Sequence, residues 1–219
     1  MKLLKTCVGD VGTNCYLIFD EASREGAIID PGDNAPQLMK MIRDNQVDLK
    51  YILLTHAHFD HILAVAEIKR QTGALIVVHA EEKYLYQADA GLDAFGAYGR
   101  QIKNRYNFPG ADIEAQEGTE VTFGGMTAHY YHTPGHTLGS CTIRIGENLF
   151  TGDTLFCQEC GRCDLAGGDF SAMLRSLKRL HDMEGNYNVY PGHMMVSTLD
   201  YERTHTPYMK QAVSQCHIL

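Results

Sequence analysis

The sequence predicts an α/β layered fold, and three observations predict it. Through the first half, short apolar runs of strand length alternate with segments of helical spacing. From Glu120 the pattern changes to closely spaced strands joined by glycine turns. Apolar residues make up 44% and charged residues 21% of the 219 positions, near globular averages, which excludes a disordered or collagen-like chain.

Cys15–Asp20 and Gly26–Asp30 read as strands separated by a polar turn, and Asp30-Pro31-Gly32-Asp33 stops the second. Leu38, Met39, Met41, Ile42 and Val47 suggest a helix, with Pro36 placed early where its missing N–H costs nothing. Tyr51–Leu54 is a buried strand, Ile62–Thr72 a helix closed by Gly73, and Leu75–Val78 another buried strand. The stretch Ala88–Gly110 breaks this rhythm with Gly, Ala and the aromatics Phe95, Tyr98, Tyr106 and Phe108. It reads either as an irregular loop with one helical turn or as a lid or partner surface. Val121–Phe123, Met126–His132, Ser140–Ile145 and Asn148–Thr151 follow as strands. Phe170–Leu180 is an amphipathic helix capped by Asp169 or Ser171, with Met173, Leu174, Leu177 and Leu180 on one face. Asn188–Tyr190 is a last strand, and the tail from Thr198 is expected to be helical up to the Thr206-Pro207 break.

Nineteen basic and 27 acidic residues give a net charge of −8. General binding to nucleic-acid phosphates needs clustered Lys and Arg, so no nucleic-acid partner is expected. No apolar run is long enough to cross a bilayer, so no membrane association is expected. Gly9, Asp10, Gly12, Thr13 and Asn14 interrupt any signal-like core near the amino terminus. Seven cysteines at uneven spacing argue for a reduced, cytoplasmic protein.

The histidines carry the chemistry. Directly after the strand Tyr51–Leu54 comes Thr55-His56-Ala57-His58-Phe59-Asp60-His61. Packing so many desolvation-sensitive groups at the exit of an apolar strand is costly unless a cation uses their lone pairs. The alternation sends His56 and His58 to one side and lets Asp60 and His61 turn to a neighbouring point, which suits two adjacent metals. Three later strand ends each deliver one more ligand type at a glycine-containing turn: His136 in Thr133-Pro134-Gly135-His136-Thr137, Asp153 in Thr151-Gly152-Asp153-Thr154, and His193 in Tyr190-Pro191-Gly192-His193.

These four motifs, in this order, resemble the metallo-β-lactamase superfamily, and within it the glyoxalase II-like (hydroxyacylglutathione hydrolase-like) short hydrolases. The resemblance spans nearly the whole chain, from Thr13-Asn14-Cys15-Tyr16 and Asp30-Pro31-Gly32 to Ser197-Thr198-Leu199 and Glu202-Arg203. It implies one domain over residues 1–219, folded as a four-layer αββα sandwich with the site along one edge of two sheets. It further implies that His56, His58 and His136 hold one metal, that Asp60, His61 and His193 hold a second, and that Asp153 bridges them. A bridging carboxylate at 153 favours thioester over lactam hydrolysis. The expected activity is cleavage of a small thioester, S-lactoylglutathione or another acylated thiol, by a metal-bridging hydroxide that Asp60 helps to orient. The expected cofactors are two divalent ions, zinc first, with iron or manganese compatible with the same donors. No counterpart of the additional helical domain that gives the longer relatives their glutathione contacts is expected within residues 1–219, so the resemblance does not by itself imply glutathione specificity.

Arg162, in Gly161-Arg162-Cys163-Asp164, falls where longer relatives place a lysine facing the substrate. It reads as a holder of a substrate carboxylate or as the partner of a nearby acid. The same segment occurs in persulfide dioxygenases, for which the resemblance implies a single iron on His56, His136 and Asp153. Cys157, Cys160 and Cys163 have iron–sulfur or zinc spacing without a fourth cysteine nearby; they read as reduced thiols, or as a redox or persulfide group near the metals. Cys7, Cys15, Cys141 and Cys216 read as small apolar fillers. His132 reads as support for the metal ligands, and His79, His129, His181, His205 and His217 as structural or solvent-facing.

Overall fold

Strand β2 (Thr13–Phe19) is buried at every position, so the sheet that contains it must be covered on both faces. The computed structural model describes residues 1–86, 92, 96–103, 105 and 107–215. One six-stranded sheet holds β1 (Lys2–Val8), β2, β3 (Glu25–Ile29), β4 (Asp48–Leu53), β5 (Leu75–His79) and β6 (Ile113–Ala115) in sequential order. Its first three strands form an antiparallel meander, and β3 through β6 run parallel. The second sheet holds β7 (Glu120–Phe123), β8 (Met126–His132), β9 (Cys141–Ile145), β10 (Asn148–Gly152), β11 (Asn188–Pro191) and β12 (Ser197–Thr198), also sequentially. Strands β10 and β11 are its parallel pair.

The helices are α1 (Ala35–Asp44), α2 (Phe59–Ile62), α3 (Val65–Thr72), α4 (Lys83–Tyr86), α5 (Gly96–Lys103), α6 (Phe170–His181), α7 (Leu199–His205) and α8 (Pro207–Gln215). Three apolar clusters show the layering. Leu38 and Ile42 of α1 and Ile68 of α3 pack with Leu17, Ile28, Ile52 and Ile76 on the outer face of the first sheet. Ile18, Ile29, Leu53 and Val77 meet Val121, Tyr130, Ile143 and Phe150 between the sheets. Met173 and Leu177 of α6 and Met209 of α8 cover Leu149 and Val189 on the outer face of the second sheet. The order is helix, sheet, sheet, helix, the metallo-β-lactamase fold expected above.

Most elements fall where the sequence places them, and the departures have physical causes. The helix expected over Ile62–Thr72 is divided into α2 and α3, because the Ala64 N–H turns to the Pro31 carbonyl at 3.0 Å. Gly73, at φ 74°, ends α3 as expected and donates its N–H to the Lys69 carbonyl. Of the two candidate caps of α6, Asp169 acts, accepting the Ala172 N–H at 3.0 Å. Past the Thr206-Pro207 break the tail resumes as α8, with Pro207 in its first turn. Cys7, expected as an apolar filler, is exposed, because β1 lies at the sheet edge with alternate side chains turned to solvent. The irregular stretch after Ala88 contains α5, whose Ile102 packs with Phe59 and Leu92. Phe95, Tyr106, Cys216 and His217 lie outside the described residues. Among the described residues, no helix is long and apolar enough to cross a membrane.

Phe150 stacks on Tyr190 and meets Tyr16 edge-on, joining the sheets just below the strand ends that carry the candidate ligands. Phe150→Ala is expected to cost about 3–5 kcal/mol of stability, read as a lower denaturant midpoint in equilibrium unfolding.

Candidate metal centre

Strands that run the same way end at one sheet edge, and the candidate ligands follow such ends: β4 in the first sheet, and in the second β10, its parallel partner β11, and β8, which shares their direction across the antiparallel β9. His56 and His58 leave β4, and Asp60 and His61 sit on the single turn α2. His136 follows β8, Asp153 follows β10 and His193 follows β11. All seven converge in three overlapping donor groups: His56, His58 and His136; His56, His61 and Asp153; Asp60, His61 and His193. Asp153 reaches both ends of the cluster. Its Oδ2 lies 3.4 Å from His136 Nε2 and 3.6 Å from His193 Nε2, and its Oδ1 lies 3.5 Å from His61 Nε2.

Hydrogen bonds on the outside of the cluster aim the imidazoles inward. His136 Nδ1 donates to the Arg162 carbonyl at 2.7 Å, His61 Nδ1 donates to Asp30 Oδ2 at 3.0 Å, and His56 Nδ1 pairs with Thr55 Oγ1 at 3.1 Å. That arrangement turns the three Nε2 atoms toward the centre. His58 presents Nδ1 instead, 2.8 Å from His136 Nε2. Three atoms that face the centre, His56 Nε2, His61 Nε2 and Asp153 Oδ1, are buried and make no hydrogen bond. Orphaned polar atoms are rare in folded proteins. Three of them on converging ligand-type side chains fit a divalent cation, so this donor set matches the expected group.

The electrostatics divide the cluster in two. Burial pushes His56 well down and His58 down to about 3, with the neighbouring imidazoles adding to the effect, so both stay neutral. In the other half burial also disfavours charge on His61, but Asp60, Asp153 and Asp30 outweigh it and hold this imidazole up to about 10. His193 is likewise raised despite burial by Asp60 and Asp153. Burial alone would raise Asp60, yet His61 and His193 hold it well below the usual carboxylate range. A cation entering this half displaces protons, so its binding tightens as pH rises.

Residue-type scanning alone did not single out the braces of this cluster. Asp30 Oδ1 accepts the Thr55 N–H at 2.8 Å and Oδ2 the Thr55 hydroxyl at 2.6 Å, while Oδ2 also orients His61. Thr13 donates its hydroxyl to Asp60 Oδ2 at 2.9 Å. Asn14 Nδ2 donates to the Pro191 and Met194 carbonyls, clamping the turn that carries His193, and the Tyr16 hydroxyl donates to the Pro191 carbonyl at 2.6 Å. Buried Glu82 accepts the Ala57 and Gly139 N–H groups at 2.7 and 2.8 Å, tying the His56–His58 loop to the loop after His136. Gly192 is required by close approach, since a Cβ there would stand 2.3 Å from Asp153 Oδ1 and 2.8 Å from His61 Cε1. The signal for Thr13, Asn14, Tyr16 and Asp30 was present, as motifs at early strand ends. Glu82 had none.

A family model for the Metallo-beta-lactamase superfamily matches residues 8–193, which contain all seven donors. The chain belongs to the metallo-β-lactamase superfamily. Within the superfamily it is 30% identical over 206 residues to hydroxyacylglutathione hydrolase GloC of Haemophilus influenzae, covering 90% of this chain and 92% of that protein. The crystal structure of BLEG-1 B3 metallo-beta-lactamase superposes with a TM-score of 0.86 at 31% identity, over 95% of this chain and 99% of that one. TTHA1623, solved in a di-iron-bound form, superposes with a TM-score of 0.80 at 32% identity, over 94% and 99%.

Around this superfamily site the remaining expectations divide. Arg162 lines the cavity above the cluster, and its guanidinium makes a bidentate pair with Asp164 at 2.6 and 2.7 Å. Its carbonyl, as noted, fixes His136. His132 does not touch the ligands; it stacks on His79 and bonds the Leu138 carbonyl in the loop after His136. The cysteine loop offers no metal site, for no donor group among the described residues includes a cysteine. Cys160 and Cys163 lean on the outer core beside α6, and burial pushes their thiols up to about 12 and about 11.

Two outcomes follow from the braces. Asp30→Asn is expected to weaken metal binding about ten- to hundredfold, measured by chelator competition. Burial pushes Glu82 up to about 7 from an ordinary 4.5. Between those values the folded chain keeps a proton that the unfolded chain has lost, so stability falls as pH rises through this window. Glu82→Gln is expected to flatten that slope in unfolding midpoints measured from pH 4.5 to 8.

Proposed function

We propose that this protein is a binuclear metal-dependent hydrolase that cleaves a small thioester. One observation carries the reading: seven donors from four separate segments meet in overlapping groups, with Asp153 in reach of both ends. His56, His58 and His136 would hold one cation, Asp60, His61 and His193 the other, and Asp153 would span them. When bound, such a pair lowers the pKa of a water and offsets the charge that develops on the substrate carbonyl oxygen. Zinc suits imidazole and carboxylate donors, and iron suits them as well. The di-iron neighbour supports the second choice of metal as much as the donor chemistry supports the first.

The chain's own residues supply position and dryness. Thr13 holds the Asp60 carboxylate, which His61 and His193 keep ionised, so Asp60 can accept a hydrogen bond from the attacking water and orient it. Phe59 and Phe156 wall the cavity and limit water on the substrate side. The water gives up its proton to solvent as its oxygen bonds to the carbonyl carbon, and the C–S bond breaks with its electron pair leaving on sulfur. A thiolate, with a free pKa of about 8.5, leaves without a dedicated proton donor. The carboxylate at Asp153 and the hydroxyacylglutathione hydrolase relative support thioester over lactam cleavage.

Elemental analysis is expected to find two metal ions per chain, and a chelator is expected to abolish thioester turnover. Asp153→Ala is expected to lower kcat/KM about a hundred- to a thousandfold, as for loss of a main electrostatic stabiliser, with the circular dichroism spectrum unchanged. Full thioesterase activity in that variant would overturn the mechanism. One iron per chain with oxygen uptake on a persulfide would identify the dioxygenase instead, and preferential lactam cleavage would identify a lactamase.

A further inference from the structure

The cavity above the ligand cluster has a volume of about 430 Å³, toward the lower end of small-molecule sites. His58, Asp60, His136, Asp153 and His193 form its polar floor. Its walls are Val11, Phe59, Phe156, Leu165 and Met194, all apolar, and four different parts of the chain contribute them. Val11 and Met194 stand at the rim 48% and 55% exposed, and Met195 and Val196 continue the apolar surface outward from Met194. Large apolar side chains held open to solvent beside a reactive centre are informative in a way that scattered surface ones are not.

The charges on these walls are few. Beyond the floor, Glu159 and Arg162 are the charged side chains lining the cavity among the described residues. The Arg162 guanidinium is already matched by the Asp164 carboxylate in a two-bond pair, which leaves the mouth close to neutral with an acid at its edge. A glutathione arm brings two carboxylates, and the walls offer them no uncommitted cation. An alkyl chain loses water against five apolar side chains and meets no unpaired charge.

We propose that this cavity seats the apolar acyl chain of an uncharged acyl thioester, with the carbonyl at the polar floor and the chain along Phe59, Phe156 and Met194. The proposal rests on the thioester-hydrolase reading and names its substrate class. Each methylene buried is worth a factor of about three to four in affinity if fully desolvated, and about two where the mouth remains partly open.

The test uses N-acetylcysteamine thioesters from acetyl to octanoyl, with S-lactoylglutathione alongside, on the metal-loaded protein. kcat/KM is expected to rise about two- to fourfold per methylene over the first several carbons and to exceed the value for S-lactoylglutathione by hexanoyl. Val11→Ser with Leu165→Ser is expected to cut the octanoyl-to-acetyl ratio about tenfold. Calorimetry with the matching unreactive S-alkyl thioethers gives a readout apart from turnover, and their Kd is expected to fall with chain length in parallel. A flat series with thioesters still hydrolysed, or S-lactoylglutathione preferred over every acyl chain, overturns this proposal alone. Absence of turnover on any thioester overturns the hydrolase reading, and a chain-length trend in thioether Kd would then still establish the apolar subsite.

Discussion

The constraint on which the structure depends is the desolvation of seven ligand-type side chains at one point. Burying imidazole and carboxylate groups without partners costs several kcal/mol each, and here His56 Nε2, His61 Nε2 and Asp153 Oδ1 face the centre without a hydrogen bond. Nothing else in the fold demands that arrangement. The outer hydrogen bonds do the opposite of satisfying it: Asp30, Thr55 and the Arg162 carbonyl occupy the far nitrogens and so commit the near ones to the centre. The divided electrostatics follow from the same geometry. Where only imidazoles meet, burial keeps them neutral; where carboxylates join them, protons occupy the place of positive charge.

The two sheets solve the problem of holding such a cluster rigidly. Each contributes parallel strands whose ends open at a shared edge, and the apolar layer between them fixes the distance across. The first sheet supplies the dense His-x-His-x-Asp-His segment, and the second supplies single ligands on short turns. Crossing bonds then lock the halves: Asn14 and Tyr16 reach the Pro191 turn, and Glu82 reaches Gly139. Loops positioned in this way can be precise without being long.

The convergence of the seven donor side chains was legible because each sits in a short, distinctive motif at the end of an apolar run, and the alternation of His56 and His58 already implied a shared side. The layers were legible for a related reason, since fully buried strands such as β2 announce cover on both faces. Other features carried no local signature. β1 carries Lys2 and Lys5 and lies at an edge, and β6 and β12 are three and two residues long, too short to show a period. The division of α2 from α3 depends on a carbonyl at Pro31, over thirty positions away in the chain. Glu82 lies in an ordinary acidic pair, Glu81-Glu82, and only the fold reveals which of the two is buried. Cys160 and Cys163 show the converse, a suggestive spacing whose thiols pack against the outer core beside α6.

The Asn14 clamp has a consequence for biosynthesis. Its side chain waits for a carbonyl 177 positions downstream, and the last imidazole of the cluster, His193, follows two positions later. During translation the amino-terminal sheet emerges with its His56–His61 segment complete but without the opposing strands. Contacts of such long sequence separation form slowly because the intervening chain must first be ordered. Closure of the donor cluster therefore waits until the chain through His193 has left the ribosome, and a product truncated before that point would hold an open, histidine-rich half-site.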